Sequence, residues 1–359
     1  MEIGIIGLPL SGKTTFFNAL TGKQAPVGDF SLTKEANRAV VKVPDKRLDR
    51  LAEIFDPKKY TPAEILYIDI AGMTGGSDSK TETAYITALR KVDAFAQVVR
   101  VFDKQSVPHP NGSVNPARDI ISVNSELIFS DLFLADNNIQ KLEKSQRVAK
   151  SKEAGQLLEV LKKCREALED EVFLADTDLT EGELKLLSGF GFLTLKPQIY
   201  VLNISEDGIE SYNIPKEIKS ILKPSQSSAV ALCAEISMEI SQLSKEDREE
   251  FRKSLGIEKP AIDIVINESY RLLGLISFLT AGEKEVRAWT IKRGMTAKQA
   301  AGVIHSDFER GFIKAEVVSY DDLDALGSWQ VAREKGKLSL EGKDYIVKDG
   351  DVIIFRFNV

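Results

Sequence analysis

Near its beginning the chain carries a glycine-punctuated loop that few folds accommodate. Residues 7–14 read GLPLSGKT and match the pattern G-x-x-x-x-G-K-[ST] throughout. The loop follows the apolar run EIGII and precedes TTFFNALTG, whose spacing predicts a helix that ends at Gly22. In this strand–loop–helix context, backbone amides and the helix N-terminus surround the phosphates of a nucleotide. The motif therefore predicts an α/β fold containing a P-loop NTPase domain with a mostly parallel sheet.

The residue types of the loop predict their roles. Lys13 is expected to reach the β- and γ-phosphates and to assist catalysis, and the hydroxyl of Thr14 is expected to bind Mg²⁺. The alternative, a glycine-rich turn without a ligand, is disfavoured by the full match in the correct context. The predicted nucleotide-binding residues of the loop are Leu10, Ser11, Gly12, Lys13, Thr14 and Thr15.

A second motif, D-x-x-G, ends a later apolar run. Asp69 is expected to contact Mg²⁺ through a water, and the amide of Gly72 is expected to contact the γ-phosphate. Upstream, Thr33 in FSLTKEAN is the candidate for a second hydroxyl on Mg²⁺, with Ser31 as the alternative. Met73 stands where many GTPases place the glutamine that orients the attacking water. Because a thioether cannot do this, hydrolysis must use another residue or a partner, or be slow.

The segment NISE, residues 203–206, occupies the place of the guanine-reading motif N-K-x-D. Asn203 can face N7, which adenine and guanine share. Glu206 is one methylene longer than aspartate, so its carboxylate would miss the N1–H and N2–H₂ donors of guanine. Adenine offers its N6–H₂ group instead, which the backbone carbonyl of Ile204 can accept. ATP is therefore predicted over GTP. The second loop beside the base is predicted at Cys233, Ala234 and Glu235.

A stretch without proline interrupts the α/β pattern. Residues 131–172 are rich in good helix formers, and their apolar residues recur at steps of three and four. A break near residues 151–155 predicts two antiparallel helices, an inserted coiled-coil arm. A basic band on the first helix suits contact with RNA phosphates, although a solvated charged face explains the same pattern. The band consists of Lys141, Lys144, Arg147 and Lys150, with Lys152 beyond.

The C-terminal part has a different pattern. Residues 285–291 alternate like a half-exposed strand, and Thr296 and Gln299 form a capping box for a helix that ends at Gly311. Residues 344–357 are predicted to form a hairpin with an Asp-Gly turn. Strands around one helix predict a small β-grasp-like domain. The predicted domains are 1–130 with 195–275 for nucleotide binding, 131–194 for the arm and 276–359 for the β-grasp-like domain.

The bulk properties indicate a water-soluble, cytoplasmic protein, which is expected to be a monomer. The chain has 359 residues, 43% of them hydrophobic, and a formal net charge of −6. This acidic balance excludes a global attraction to nucleic acid, so any RNA contact must come from a local patch. The two cysteines, Cys164 and Cys233, lie outside any C-x-x-C pattern, which favours a reducing compartment over disulfides or zinc. The N-terminal sequence is not expected to act as a signal peptide, and no membrane span is expected because no apolar run reaches about 18 residues.

Several stretches together resemble one family. They are GIIGLPLSGKTTFFNALTG, DIAGM, VVRVFD, HPNGSVNPARDI, NISE and most of 278–359, and the sequence is similar to Obg-like ATPases of the YchF type over nearly its whole length. The resemblance implies a P-loop domain of the Obg-related translation-factor class, a coiled-coil arm and a C-terminal TGS domain. It also implies ATP in preference to GTP, slow hydrolysis and association with ribosomes. An apolar residue after D-x-x-G is a mark of this class, and Met73 fits it.

Departures from the family pattern affect hydrolysis more than nucleotide binding. Leu10 replaces an asparagine that is a potassium ligand in related GTPases, so stimulation by K⁺ is not expected. Both switch segments also differ from the usual family sequences. The family has a histidine proposed to assist hydrolysis, and His109 lies in the matching loop, although it could equally be a loop residue without a catalytic role. Two alternatives remain open: a GTPase of the same fold, and a nucleotide-gated ribosome- or RNA-binding module with negligible turnover.

Overall fold

The computed structural model describes residues 1–22, 37–70, 79–148, 151–223, 226–257 and 259–358. The chain divides into two compact units. The first contains residues 1–40 and 66–265, and the second contains residues 41–65 and 266–359. A segment of the N-terminal half therefore belongs to the same unit as the C-terminal part.

The secondary structure alternates between strands and helices. The strands are β1 (Glu2–Ile6), β2 (Asn37–Lys42), β3 (Tyr60–Thr61), β4 (Glu64–Asp69), β5 (Ala94–Arg100), β6 (Gln198–Asn203), β7 (Ser227–Leu232), β8 (Leu275–Thr280), β9 (Val286–Lys292), β10 (Phe312–Ser319), β11 (Ser339–Glu341) and β12 (Asp351–Phe357). The helices are α1 (Lys13–Thr21), α2 (Lys46–Phe55), α3 (Ser79–Lys91), α4 (Pro116–Val148), α5 (Lys152–Glu169), α6 (Glu181–Leu187), α7 (Lys216–Ile221), α8 (Ala234–Gln242), α9 (Lys245–Ser254), α10 (Ala261–Leu272), α11 (Ala297–Ile304), α12 (Ser306–Arg310), α13 (Tyr320–Leu326) and α14 (Trp329–Glu334).

A mostly parallel sheet forms the centre of the first unit, in the order β2–β4–β1–β5–β6–β7. β1 pairs in parallel with β4 and β5, and β5, β6 and β7 continue the parallel pairing. β5 and β6 are buried along their whole length, as expected for parallel strands covered on both faces. Because parallel strands end at one edge of a sheet, this edge brings together the residues that follow β1, β4, β6 and β7. The predicted α/β fold is confirmed.

A long helical hairpin is inserted between β5 and β6. Its first helix, α4, begins at Pro116 rather than near residue 131, where the helix-forming composition starts. Asn115 accepts from the amide of Arg118 and caps this start. α4 and α5 run antiparallel, since Glu143 contacts Lys162 at 3.3 Å while Asp136, earlier in α4, lies 4.0 Å from Arg165, later in α5. A shared apolar core holds them together, and it includes Ile139, Leu161, Cys164 and Leu168.

The second unit has its own sheet, in the order β11–β10–β12–β8–β9–β3. β8 and β9 are antiparallel, as are β10 and β12, whereas β12 and β8 are parallel. The short β3 extends the edge by pairing with β9 at Tyr60 and Val286. α2 packs against β9, with Leu48 and Leu51 fully buried. The Arg47 guanidinium fastens this segment to Asp349, with Nη1 3.1 Å from a carboxylate oxygen.

The predicted hairpin over residues 344–357 is wrong. Residues 351–357 form β12, which pairs with β10 and β8 rather than with the segment just before it. The carboxylate of Asp351 explains the difference. It accepts from the Tyr345 hydroxyl at 2.8 Å and from the Lys348 amide at 2.9 Å, which holds the preceding residues in a turn.

The helix predicted after Thr296 is divided at His305. The capping box of Thr296 and Gln299 is confirmed at the start of α11. His305 then adopts an extended conformation, and its Nδ1 accepts from the amide of Asp307 at 3.2 Å. This imidazole therefore caps α12 and has a structural role. In the part of the chain that the structure describes, no helix has the length and apolar character needed to cross a bilayer.

Candidate functional site

The P-loop connects β1 to α1 and folds around the side chain of Lys13. The Lys13 ammonium donates to the carbonyl of Gly7 at 3.0 Å and to that of Leu8 at 2.8 Å. Burial lowers the pKa of Lys13 to about 8, and the nearby Asp69 carboxylate opposes this shift. The lysine is thus held inside the loop by backbone oxygens, which a phosphate group can replace as partners.

Three positive φ angles shape the loop. Gly7 has φ of +139° and Gly12 has φ of +94°, and a Cβ at Gly12 would collide with the Asn203 amide. Leu10 also lies in the left-handed region, with φ of +62°. Asparagine is enriched in this conformation, whereas a leucine there costs on the order of 1 kcal/mol. The Leu10 substitution therefore affects the backbone of the loop as well as its side-chain chemistry.

Thr14 and Asp69 meet at the candidate metal position. The Thr14 hydroxyl donates to Oδ2 of Asp69 at 3.1 Å. Burial raises the pKa of Asp69, and the Thr14 hydroxyl and the Lys13 ammonium act in the opposite direction. The Thr14 hydroxyl and the carboxylate of Asp69, at the end of β4, both offer oxygen atoms, and Mg²⁺ prefers oxygen ligands. The described part of this donor set therefore fits Mg²⁺.

Asn203 connects the P-loop to the loop after β7. Its buried amide donates from Nδ2 to the Ser11 carbonyl at 3.0 Å and accepts at Oδ1 from the Ala234 amide at 3.0 Å. Nδ2 carries a second hydrogen, which remains compatible with the predicted contact to N7 of a purine. Asn203 thus organises the site in addition to its predicted role in base recognition.

The other predicted base contacts surround Asn203. Ile204 is buried, and its amide donates to the Leu232 carbonyl at 3.0 Å. Glu206 is exposed at the start of a short 3-10 turn. Cys233 is buried immediately before α8, and burial raises the pKa of its thiol. Glu235 is exposed, and Lys104 approaches its carboxylate at 3.4 Å. These positions place one exposed carboxylate on each of the two loops beside Asn203.

His109 is buried rather than displayed to solvent. Only 4% of its side chain is exposed. Its Nδ1 accepts from the amide of Asn111 at 3.1 Å, and its Nε2 lies 3.0 Å from Oδ2 of Asp119. The ring lines a small cavity that Pro9 and Ser11 of the P-loop also line. The structure therefore brings His109 next to the loop, with Nδ1 in a hydrogen bond and Nε2 against a buried carboxylate.

Some predicted site residues lie outside the described part of the chain. Thr33, the candidate second hydroxyl ligand of Mg²⁺, and its alternative Ser31 fall in residues 23–36. Gly72 and Met73 fall in residues 71–78. Their roles stay predictions. Thr15 lies in the first turn of α1, directly after Lys13 and Thr14.

Comparisons with known proteins bear on the whole chain. A family model described as a 50S ribosome-binding GTPase matches residues 2–163, and the model YchF-GTPase_C, described as a protein of unknown function, matches residues 275–358. The protein named ribosome-binding ATPase YchF of Pasteurella multocida is 43% identical over 100% of this chain and 99% of its own length. That of Bacillus subtilis is 43% identical over 100% of both chains. This chain belongs to the YchF family.

A solved structure supports the same assignment. The structure named as the YchF GTPase of Schizosaccharomyces pombe matches with a TM-score of 0.86 and 31% identity, over 99% of this chain and 97% of that chain. The resemblance inferred from the sequence is confirmed. The fold of the YchF family therefore extends over both compact units.

Two residues near the site of this YchF-family chain were not singled out from the sequence. Arg100 is buried at the end of β5, and its guanidinium donates to the carbonyls of Phe102, Val107 and Pro108. A charged residue at the end of a largely apolar strand was the available signal. Asp119 gave no such signal, because an acidic residue in the first turn of a helix is ordinary.

Proposed function

We propose that this protein is a Mg²⁺-dependent, ATP-binding switch protein that hydrolyses ATP slowly and acts on the ribosome. The observation that carries the proposal is the buried Asn203 amide, which ties the P-loop to the second base loop. Phosphate and base recognition are thereby joined in one structure. The relatives named ribosome-binding ATPase support both the nucleotide and the partner.

The phosphates are proposed to bind where Lys13 now contacts backbone oxygens. Lys13 would exchange the Gly7 and Leu8 carbonyls for phosphate oxygens, which are better partners for an ammonium. Thr14 and Asp69 would hold Mg²⁺, together with Thr33, and the ion would neutralise charge on the β- and γ-phosphates. We do not include K⁺ as a cofactor, since a leucine side chain at position 10 offers no ligand.

The preference for adenine is proposed to depend on Glu206. Its carboxylate is exposed at the site edge, and in the described residues no hydrogen bond fixes it in one position. A longer side chain than aspartate would not align with the two donors of guanine. The Ile204 carbonyl is proposed to accept from the adenine amino group. The related structure named a YchF GTPase makes GTP the competing ligand to test.

Shortening Glu206 should move the preference toward GTP. We expect Glu206→Asp to raise GTP affinity by about tenfold, because an aspartate can accept from N1–H and N2–H₂ of guanine. A hydrogen bond gained in this way contributes about 1.4 kcal/mol to the binding free energy, which corresponds to a factor of about ten. Isothermal titration calorimetry with non-hydrolysable ATP and GTP analogues in Mg²⁺ measures both affinities.

Glu217→Asp is the matched control. It shortens a glutamate by the same one methylene, and Glu217 is exposed on α7. Tighter binding of GTP than ATP by the unmodified protein would refute the assignment of ATP. An unchanged GTP affinity in Glu206→Asp would refute only the role of Glu206 and leave the ATP assignment standing.

Hydrolysis is proposed to be slow because Met73 cannot orient a water. His109 is the proposed catalytic residue of this chain. A neutral imidazole can orient the attacking water or accept its proton. His109 lines a cavity together with P-loop residues, which supports this role. A module with negligible turnover remains the alternative, and the Lys13 variant described in the Discussion distinguishes the two.

The helical hairpin of α4 and α5 is proposed to be the ribosome-contacting arm, and residues 276–359 are proposed to form a TGS domain. Lys141 and Lys144 are exposed on α4, which supports the accessibility of the basic band. Exposed lysines bind RNA phosphates by releasing counterions. The protein is proposed to act as a monomer.

Reversing the charge of the basic band should weaken ribosome binding. We expect the fourfold change to glutamate at Lys141, Lys144, Arg147 and Lys150 to lower affinity at least tenfold and to reduce the salt slope by about one per lost phosphate contact. Co-sedimentation with ribosomes at several salt concentrations measures both quantities. The control places four glutamates at exposed lysines outside the arm, which are Lys91, Lys216, Lys219 and Lys253. Equal pelleting of the arm variant and the unmodified protein would show that the basic band does not contribute to ribosome binding.

A further inference from the structure

His109 is withdrawn from solvent, with one ring nitrogen in a hydrogen bond and the other in contact with a carboxylate. Because Nδ1 accepts the amide hydrogen of Asn111, the proton of the neutral imidazole is on Nε2. Nε2 lies 3.0 Å from Oδ2 of Asp119, and both side chains are only 4% exposed. A general base or water-orienting group needs a ring nitrogen within hydrogen-bonding reach of the water. In this arrangement neither nitrogen of His109 meets that requirement.

The two carboxylate oxygens of Asp119 have different partners. Oδ1 accepts from Nε of Arg118 at 3.0 Å, from its Nη2 at 2.9 Å, and from Nδ2 of Asn111 at 3.3 Å. Oδ2 is buried and lies 3.0 Å from His109 Nε2, but the two atoms are not aligned as a hydrogen bond, and no donor among the described residues reaches Oδ2 in hydrogen-bonding geometry. One oxygen therefore holds the loop, and the other is a buried carboxylate oxygen in contact with the imidazole.

Arg100 fixes the loop that leads to His109. It donates to the carbonyl of Val107 at 2.7 Å and to that of Pro108 at 3.3 Å, directly before the histidine. With this anchor, the His109 side chain can change its position while the start of the loop stays in place. Asp119 lies in the first turn of α4, the helix that continues into the arm. The contact of Asp119 with the imidazole is therefore made from one end of the arm.

We infer that Asp119 is a positioning residue that holds His109 in a withdrawn state, and that ATP turnover requires the imidazole to leave Oδ2. The inference rests on the proposed role of His109 in hydrolysis. Binding at the arm that displaced the first turn of α4 would weaken this contact. Slow hydrolysis then has two causes in this chain: the absence of a glutamine after D-x-x-G, and a catalytic residue held by its own neighbour.

The substitution Asp119→Asn tests this contact selectively. Asparagine keeps an oxygen for Arg118 and Asn111, but it replaces Oδ2 with a neutral NH₂ group that does not attract the Nε2–H group. We expect kcat for ATP to rise about fivefold or more with KM unchanged, since the buried negative charge beside Nε2 no longer retains the ring. His109→Ala should lower kcat, and the double variant should match His109→Ala. Asp136→Asn, at a partly exposed position of the same helix, is the matched control.

Nitrogen NMR of the imidazoles gives an independent readout, because the chain contains two histidines. The unmodified protein should show a fixed Nε2–H tautomer for His109, and Asp119→Asn should show an averaged one. If His109→Ala leaves kcat unchanged, the proposed catalytic role fails. If His109→Ala lowers kcat while Asp119→Asn does not raise it, the inference that Asp119 holds His109 in a withdrawn state is refuted. A rise in kcat that persists in the double variant also overturns it, because the effect then does not pass through His109.

Discussion

Replacing Lys13 with alanine should abolish measurable ATP hydrolysis and weaken ATP binding. We expect kcat to fall on the order of 10²–10³-fold, the usual loss when a charge that stabilises the transition state is removed. Affinity should fall about tenfold to hundredfold, because the lost charge-assisted hydrogen bonds are worth about 1.5–3 kcal/mol. Phosphate release in Mg²⁺ and calorimetric titration with an ATP analogue measure the two effects separately.

Folding should survive this change. Burial lowers the pKa of Lys13 to about 8, so its removal takes away an unfavourably placed charge, which offsets the loss of its hydrogen bonds to the Gly7 and Leu8 carbonyls. The melting temperature therefore provides the folding control, and Lys219→Ala, at an exposed lysine of α7, controls for the substitution itself. Turnover by Lys13→Ala equal to that of the unmodified protein would show that the activity does not come from the P-loop. If neither Lys13→Ala nor the unmodified protein shows turnover above background, the protein is better described as a nucleotide-gated binding module than as an ATPase.

Replacing Asn203 with alanine should lower both stability and nucleotide affinity. The variant leaves the Ser11 carbonyl and the Ala234 amide without their partner in a buried region. Each unsatisfied group costs about 1–3 kcal/mol, so the free energy of unfolding should fall by about 2–6 kcal/mol. Without the bridge the two loops are no longer held together, and we expect ATP and GTP affinity to fall alike. Urea unfolding at constant m-value measures the first effect and calorimetry the second.

Asn124→Ala is the matched control for this bridge. Asn124 is a partly buried asparagine of α4 that donates to the Tyr200 hydroxyl at 3.1 Å and connects no loops of the site. Its loss should lower stability by about 1 kcal/mol and leave nucleotide affinity unchanged. A stability loss in Asn203→Ala no larger than in Asn124→Ala would contradict the bridging role. A loss of ATP affinity with GTP affinity retained would instead assign Asn203 to base discrimination.

The edge of the first sheet was predictable because each motif marks the end of its own strand. The P-loop follows β1, Asp69 ends β4 and Asn203 ends β6, and apolar runs locate all three strands in the sequence. Parallel pairing then places these residues at one edge without further information. The pairing of Thr14 with Asp69 follows from the same geometry.

Contacts set by distant packing were not predictable. The pattern of α2 shows that Leu48 and Leu51 are buried, but no local signal indicates which sheet covers them. The sequence likewise places His109 in a loop rich in proline and glycine, and nothing in that loop indicates which side chain the ring contacts. Its neighbour is Asp119, a residue whose type and position have an ordinary explanation at a helix start. Local pattern therefore predicted most of the elements and failed where tertiary packing selects the partner of a side chain or strand.

The second sheet has a consequence for the order in which the chain can fold. β12 lies between β10 and β8, and Arg47 contacts Asp349, 302 positions later in the sequence. The segment that contains α2 and β3 is synthesised early. Its apolar side has no sheet to pack against until the C-terminal strands have formed. Such non-local pairing slows folding and leaves apolar surface uncovered during synthesis. A fragment that begins at residue 276 would lack this cover, so the second unit should be studied within the intact chain.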